Sequence, residues 1–208
     1  MSGKTGDAVC RLCRREGEKL YLKGQKCYTK CTLERRPYPP GQHGQARRRK
    51  VSDFGIQLRA KQRARRIYGV QETQFHNYYS DAANRKGETG LELLRRLELR
   101  LDNVVYRAGF GASRAEARQL VTHRHFTVNG RIANVPSIHL RVGDAVAVRG
   151  GSRGLEPVER SQEMLNNRPM PGWLESPGEL AVRIAADPPR GEMEPLIEEH
   201  LIVEFYSR

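Results

Sequence analysis

The sequence predicts an α+β protein, mainly helical, with a small αβ module inserted in its second half and a metal-stapled N-terminal segment. Three features predict this. All four cysteines fall within the first 31 residues, amphipathic helical periods run from residue 53 to about 108, and a helix pair then leads into a strand and an Asn-Gly turn. A chain of 208 residues with 38% hydrophobic content can hold one large domain or two small ones around a modest core. No apolar run approaches the roughly 18 residues of a membrane span, and the opening MSGKTGDAVC lacks the apolar segment of a secretory signal, so the expected location is the cytosol.

Charge is unevenly distributed. Residues 1–70 carry a net +14, residues 71–150 a net +4 and residues 151–208 a net −5, within an overall +13. The basic end suits a polyanion, and its paired cysteines and Tyr21, Tyr28 and Tyr38 distinguish it from a solvated tail. Nucleic acid is favoured over a membrane surface, because no amphipathic helix offers a bulky apolar face to lipid.

Taking the elements in order, Cys10 and Cys13 form a C-x2-C pair, and after thirteen residues Cys27 and Cys31 form a C-x3-C pair. Two close pairs around a short loop are the layout of a four-thiolate metal site. Zinc suits four thiolates in tetrahedral geometry, and Lys26, Lys30 and Arg11 would offset the dianionic centre. A cluster of four iron atoms with sulfide is the alternative. Four unrelated thiols or two disulfides are the remaining readings; the clustering and a reducing cytosol argue against both. His43 is a further candidate, as a substitute ligand or an RNA contact. The segment is too small to fold by apolar burial alone, so the metal would supply most of its folding energy.

From Glu34 to Lys50 the stretch ERRPYPPGQHGQARRRK holds three prolines, two glycines and six basic residues. Pro37, Pro39 and Pro40 favour extended backbone, on which Arg47, Arg48, Arg49 and Lys50 can follow a ribose-phosphate chain. Alone, it reads as a disordered linker. Ser52 and Asp53 open a helix to Tyr68 that stops at Gly69, with Ala60, Ala64 and Ile67 on a narrow apolar stripe. Arg59, Lys61, Arg63, Arg65 and Arg66 cover the rest, so this helix needs a polyanion or an acidic neighbour. A second helix is expected from Thr73 to about Lys86, with Phe75, Tyr78, Tyr79 and Ala82 for the core. Thr89 and Glu92 make a capping box before Leu94, Leu97 and Leu101.

The module follows. Leu101, Val104, Val105 and Ala108 lie on one helical stripe that ends near Gly109. Ser113 and Glu116 form a capping box for a second helix, whose Ala117, Leu120 and Val121 face a core. Arg114 and Arg118 sit one turn apart beside that face and can bridge neighbouring phosphates, though the pattern alone also fits two solvated arginines. Gln119 projects from the exposed side. Phe126 to Val128 reads as a strand, Asn129-Gly130 as a two-residue hairpin turn, and Ala145 to Val148 as a further strand. Beyond Gly150, Leu155 to Asn167 reads as a helix, Trp173-Leu174 as an apolar anchor and Leu201 to Tyr206 as a strand. The acidic end packs on the helices or offers a face to basic proteins. Its glutamates pair with no nucleophile at a fixed spacing.

The Arg-Leu-Asp opening at Arg100, the Ser113-Arg114 helix start and the Val128-Asn129-Gly130 turn resemble the RNA-binding domain named after small-subunit ribosomal protein S-four. Many such domains place a glycine between helix and strand where this chain has Arg124, between His123 and His125; a basic residue there would suit RNA. The resemblance extends to the Pro40-Gly41-Gln42-His43-Gly44 loop, to Leu58–Gly69 ending Arg65-Arg66-Ile67-Tyr68-Gly69, and to the tail Ile202 to Arg208. It thus covers nearly the whole chain and points to the bacterial S-four ribosomal protein family in its four-cysteine form.

That resemblance implies residues 1–50 as metal knuckle and basic arm, 51–98 with 151–208 as a helical domain with a C-terminal strand, and 99–150 as an S-four-type RNA-binding module. It implies binding at the five-helix junction in the 5′ domain of small-subunit (16S) ribosomal RNA early in assembly. Later neighbours would be ribosomal proteins S-three and S-five near the path where messenger RNA enters, with a contribution to translational accuracy. Expected ribosomal RNA contacts are Arg35, Arg36, Arg59, Lys61, Arg63, Arg65, Arg66, Arg107, Ser113, Arg114, Arg118, Gln119, Asn129 and Arg131. Arg47, Arg48, Arg49 and Lys50 would border the messenger. A pseudouridine synthase also carries Arg-Leu-Asp around its catalytic aspartate, but it appends a large catalytic domain for which the sixty or so residues after the module leave no room. Asp102 therefore reads as structural. A zinc-finger regulator of DNA would need a recognition helix tied to the metal, which is lacking.

Overall fold

The computed structural model describes residues 8–46, 50–163, 169–178 and 180–208. They divide into two compact units, residues 1–90 with 196–208 and residues 91–195.

In the first unit, α1 (Val9–Glu16), α2 (Gln25–Thr29) and α3 (Thr32–Arg35) are short, and α4 (Asp53–Tyr68) is the long basic helix. The Ser52 hydroxyl accepts from the Gly55 amide at 3.3 Å, and Gly69 ends the helix at φ 62, a left-handed conformation that glycine adopts without penalty. Ala60, Ala64 and Ile67 are buried as the stripe predicts, joined by Leu12, Leu20, Val70, Phe75 and Ala82. Next comes α5 (Glu72–Ala83).

The C-terminal strand expected at Leu201 to Tyr206 is a helix, α10 (Glu199–Tyr206), packed on α4. Its β-branched and aromatic residues favour a strand locally, but helical spacing buries Ile202 and brings both aromatic residues onto neighbouring rings. Phe205 lies 5.6 Å from Phe54, while Tyr206 lies 4.6 Å from Tyr79 and 6.5 Å from Phe75. Packing outweighs propensity there.

The second unit takes in α6 (Thr89–Glu98) from Leu91 onward, then α7 (Leu101–Arg107) and α8 (Arg114–Thr122). The Ser113 hydroxyl accepts from the Glu116 amide at 3.2 Å, and the Glu116 carboxylate returns to the Ala112 amide at 2.7 Å, one residue earlier than a standard capping box. Such a cap contributes about 1 kcal/mol. β1 (Phe126–Val128) and β2 (Arg131–Ala133) pair antiparallel through Asn129 and Gly130, at φ 49 and 79, the two positive values a tight hairpin turn needs. Between α8 and β1 the chain turns through Arg124 at φ 65, which costs a residue with a Cβ roughly 1 kcal/mol.

β3 (Ala145–Val148) pairs with β1, but the sheet does not stop there. β4 (Leu174–Gly178) and β5 (Ala181–Ile184) extend it, in the order β2-β1-β3-β5-β4, antiparallel throughout. Residues 151–195, including α9 (Glu156–Glu163), therefore belong with the module and not with the helical domain to which the sequence assigned them. β3 would otherwise leave an open edge; β5 covers it, with Val146 opposite Val182, and adds Trp173, Leu174, Val182 and Ile184 to the core of Leu101, Val105, Ala117 and Phe126. Similarly, the first 50 residues form one unit with α4 instead of a separate segment, since α1 packs on α4.

Glu72 ties the first unit together, accepting from Lys61 at 2.5 Å, Arg65 at 2.6 Å and the Tyr206 hydroxyl at 2.9 Å. Burial alone would raise its carboxyl, but these three donors outweigh that and hold it below the ordinary 4.5. A depressed folded-state value contributes stability above pH 4.5 that is lost as pH falls through the lower value. Glu72→Gln should lower the melting temperature at pH 7 and reduce its decline as pH falls below the ordinary 4.5. Parallel declines in wild type and variant would show that Glu72 does not supply this linkage.

Candidate nucleic-acid interface

The five cations of α4 expected to face RNA each meet a carboxylate of their own chain. Arg59 donates to Glu16 at 3.3 Å, and Arg66 pairs with the same oxygen. Lys61 and Arg65 share Glu72. Arg63 lies 3.3 Å from Glu18 and 3.9 Å from Glu198, and donates to the Leu196 carbonyl. The acidic neighbour that so basic a helix requires is thus supplied by α1, α5 and the approach to α10. Lys61 is buried outright, with its ammonium 4.5 Å from the Phe205 ring centroid.

In the module, buried carboxylates organise the arginines. Glu98 accepts a bidentate pair from Arg107, at 3.0 and 2.6 Å, and the Asn103 amide at 2.6 Å. The Asn103 carbonyl accepts from Arg114 at 2.8 Å, whose other nitrogen reaches Glu194 at 3.0 Å while its guanidinium stacks 4.5 Å over Tyr106. Asp102 accepts a bidentate pair from Arg100, at 3.0 and 2.9 Å, and a further bond from Arg118 at 2.7 Å. Arg114 retains 10% and Arg118 26% of its side-chain exposure. Asp102 is structural, as the sequence implied: two guanidinium groups hold it, and its amide donates to the Pro136 carbonyl.

The remaining expected contacts divide similarly. Ser113 is committed to its cap, while Gln119, Arg131, Arg35, Arg36 and Lys50 are exposed. Arg131 borders a shallow groove of about 510 Å³ lined by Val128, Asn129, Ile132, Ala133, Asn134 and Ile138. The Asn129 side chain locks the hairpin to β3, accepting from the Ala145 amide at 2.9 Å and donating to Asp144 at 2.8 Å. Arg47, Arg48 and Arg49 lie outside the described residues.

All four cysteines are free thiols lining one cavity of about 20 Å³, with Lys23, Lys26, Lys30, Thr32 and Leu33. Cys10 and Cys13 lie on α1, Cys27 on α2, and Cys31 precedes α3. The Lys23 amide donates to the Cys27 sulfur at 3.3 Å. Burial pushes the Cys13 and Cys27 thiols up, the amides of Leu20 and Lys23 pull them back, and the neighbouring sulfurs push again. Amide donors, adjacent lysines and four sulfurs around one small cavity match the donor chemistry of a thiolate metal site. Among the described residues, however, no three Cys, His, Asp or Glu side chains are placed to hold an ion as they stand. His43 does not line the cavity.

Two further groups shape the interface, and of their residues the sequence reading assigned a structural role to Asp102 alone. Arg14 donates to the Tyr38 and Pro39 carbonyls at 2.9 and 3.1 Å and lies over the Tyr38 ring, pinning the proline-rich arm to α1. The arm then turns at Gly44, where a Cβ would fall 2.1 Å from the Pro39 oxygen, so no other residue fits without displacing backbone. The anchoring carboxylates Glu98 and Asp102 were marked only by acidic residues set within an apolar helical run.

Residues 4–98 match the Ribosomal protein S4/S9 N-terminal domain family, and residues 99–146 match the S4 domain. The chain is 59% identical over 201 residues to small ribosomal subunit protein uS4 of Desulforamulus reducens, covering 96% of each. It is 56% identical over 210 residues to that of Pelotomaculum thermopropionicum, covering 100% of each. With the protein of the same name from Ruminiclostridium cellulolyticum it shares 55% over 204 residues, 97% of this chain and 98% of the relative. Likeness of this extent, joined to a hairpin module whose arginines are set by buried carboxylates, means that the chain belongs to the uS4 family of ribosomal proteins, structural proteins and not enzymes.

Proposed function

We propose that the protein binds small-subunit (16S) ribosomal RNA at the five-helix junction of the 5′ domain and nucleates assembly of the small subunit there. As a uS4 protein it is a structural, RNA-binding component of the small ribosomal subunit in the cytoplasm. The division of its cations supports the finer reading. Carboxylates fix the helix pair and α4, while exposed Arg35, Arg36, Lys50 and Arg131 stand outside those networks and can meet phosphates. Arg118 and Gln119, on the outer side of α8, would touch the same backbone. Arg107, Arg114 and the α4 arginines would act chiefly by holding these residues in register. Several RNA helices gripped at once would be held in one arrangement, which lowers the entropic cost of later steps.

Within the assembled subunit, the neighbours we propose are ribosomal proteins S-three and S-five, with Arg47, Arg48, Arg49 and Lys50 bordering the incoming messenger and contributing to accuracy. The four cysteines would hold Zn2+, with a four-iron cluster as the alternative. The metal would close α1, α2 and α3 around one centre and add folding energy to a segment with few buried side chains.

Arg114→Ala combined with Arg118→Ala should weaken binding to a 5′-domain transcript, flatten its salt dependence, and lower the melting temperature of the 91–195 unit. Removing one partner of a buried ion pair typically costs about 3–5 kcal/mol. Unchanged affinity and slope would remove both residues from the interface. Cys27→Ser should abolish metal retention and expose the first forty residues to protease while Arg100 to Val148 stays protected. Metal-free wild-type protein, or loss of the whole fold in the variant, would contradict the metal-closed segment.

A further inference from the structure

We propose that Arg14 is the positioning residue of the messenger arm: by fixing the loop of residues 38–46 it sets the path on which Arg47, Arg48, Arg49 and Lys50 are presented. The inference rests on the reading of those four residues as the border of the messenger, and adds a residue that acts through them.

The loop has little with which to hold itself. Pro37, Pro39 and Pro40 lack an amide hydrogen, so the segment cannot pair as a regular helix or hairpin, and its carbonyls need donors from elsewhere. Among the described residues, the hydrogen bonds that join this loop to the rest of the chain both come from Arg14. Its Nε donates to the Tyr38 carbonyl at 2.9 Å and its Nη2 to the Pro39 carbonyl at 3.1 Å. The same guanidinium lies 4.9 Å from the centroid of the Tyr38 ring. A planar fork that meets two successive carbonyls and a ring fixes orientation as well as place, which the point charge of a lysine does not.

Arg14 is itself firmly mounted. It stands in the last turn of α1, where the Gly17 amide closes on the Cys13 carbonyl at 2.8 Å. Two residues on, Glu16 keeps 1% of its side-chain exposure and pairs with Arg59 and Arg66 of α4. From Arg14 the order passes outward along the loop. Pro39 and Gly44 are buried against each other, and the Gly44 and Ala46 amides donate to the Gly41 and His43 carbonyls, each at 3.1 Å. Beyond the arm, the Ser52 hydroxyl caps α4. Residues 47–51 therefore run between two points of one frame, Ala46 held through Arg14 and Ser52 held by the helix to which α1 is docked.

Charge pairing sets Arg14 apart from its neighbours. Arg59, Arg63, Arg65 and Arg66 of the same unit each pair with a carboxylate, whereas among the described residues none meets Arg14. Two of its nitrogens are committed to main-chain oxygens, so it orders backbone, and the arm meets the messenger.

The test separates position from charge. Ribosomes would be reconstituted with Arg14→Ala, with Gly44→Ala, or with Arg47→Ala, Arg48→Ala and Arg49→Ala together. Each would be followed on an unstructured messenger and on one carrying a stable hairpin ahead of the ribosome, alongside binding of the free protein to a 5′-domain transcript. Arg14→Ala should keep the transcript affinity and the wild-type rate on the unstructured messenger, yet pass the hairpin several-fold more slowly, as the triple variant does. Gly44→Ala places a Cβ 2.1 Å from the Pro39 oxygen and so displaces the loop without changing any charge; it should show the same split. Wild-type passage of the hairpin by Arg14→Ala, with the triple variant slowed, would overturn the positioning role. So would equal slowing on both messengers, loss of transcript affinity, or a defect in Arg14→Ala that Gly44→Ala does not share. A triple variant that passes the hairpin at the wild-type rate would instead overturn the messenger reading of the arm, and the inference with it.

Discussion

Asp102 accepts from Arg100, two residues before it, and from Arg118 on α8, while Glu98 gathers Arg107 and Asn103, which passes the chain of bonds to Arg114 and Glu194. These carboxylates are almost entirely removed from water, so a lone one would be strongly destabilising; each is matched by guanidinium forks with two or more bonds. The pairing fixes the packing of α7 on α8, and the sheet builds on that pair. In the first unit, Glu16 and Glu72 do the same for α4. In a chain with an overall +13, the acids are thus placed where the cations of these helices crowd.

Function follows from what the pairing leaves over. Cations joined to internal carboxylates release few counterions on meeting RNA, whereas exposed unpaired ones release about one each. On the reading proposed above, RNA affinity would concentrate on the exposed cations outside these networks. The internal arginines supply shape. A rigid module presenting a few well-placed cations recognises an RNA arrangement better than a uniformly basic surface, which binds any polyanion.

Much of this was legible in the sequence because it is local. Ser52, Gly69, Ser113 with Glu116, and Asn129-Gly130 act within a few residues, and each occupies its expected cap or turn. What escaped depends on distant partners. Arg114 and Glu194 are 80 residues apart, and Gln57 meets Glu204 across 147. No periodicity encodes such a pairing, so cations that the pattern gave to RNA are partly spent on the fold. Leu201 to Tyr206 has the composition of a strand, and only the rings of Phe54, Phe75 and Tyr79 make it a helix. β4 and β5 carried no strand signal that the sequence reading used, since β4 ends in the turn-favouring Ser176-Pro177-Gly178, whereas the open edge of β3 selects them as strands.

The most direct test is binding of the purified protein to the 5′ domain of small-subunit ribosomal RNA and to a transfer RNA of equal charge density, across a salt series. Selective binding to the ribosomal RNA that survives physiological salt, with a slope far below the total number of lysines and arginines, is the predicted result. Equal and steeply salt-sensitive binding to both RNAs would contradict it, leaving a generic basic surface in place of a module shaped by its carboxylates.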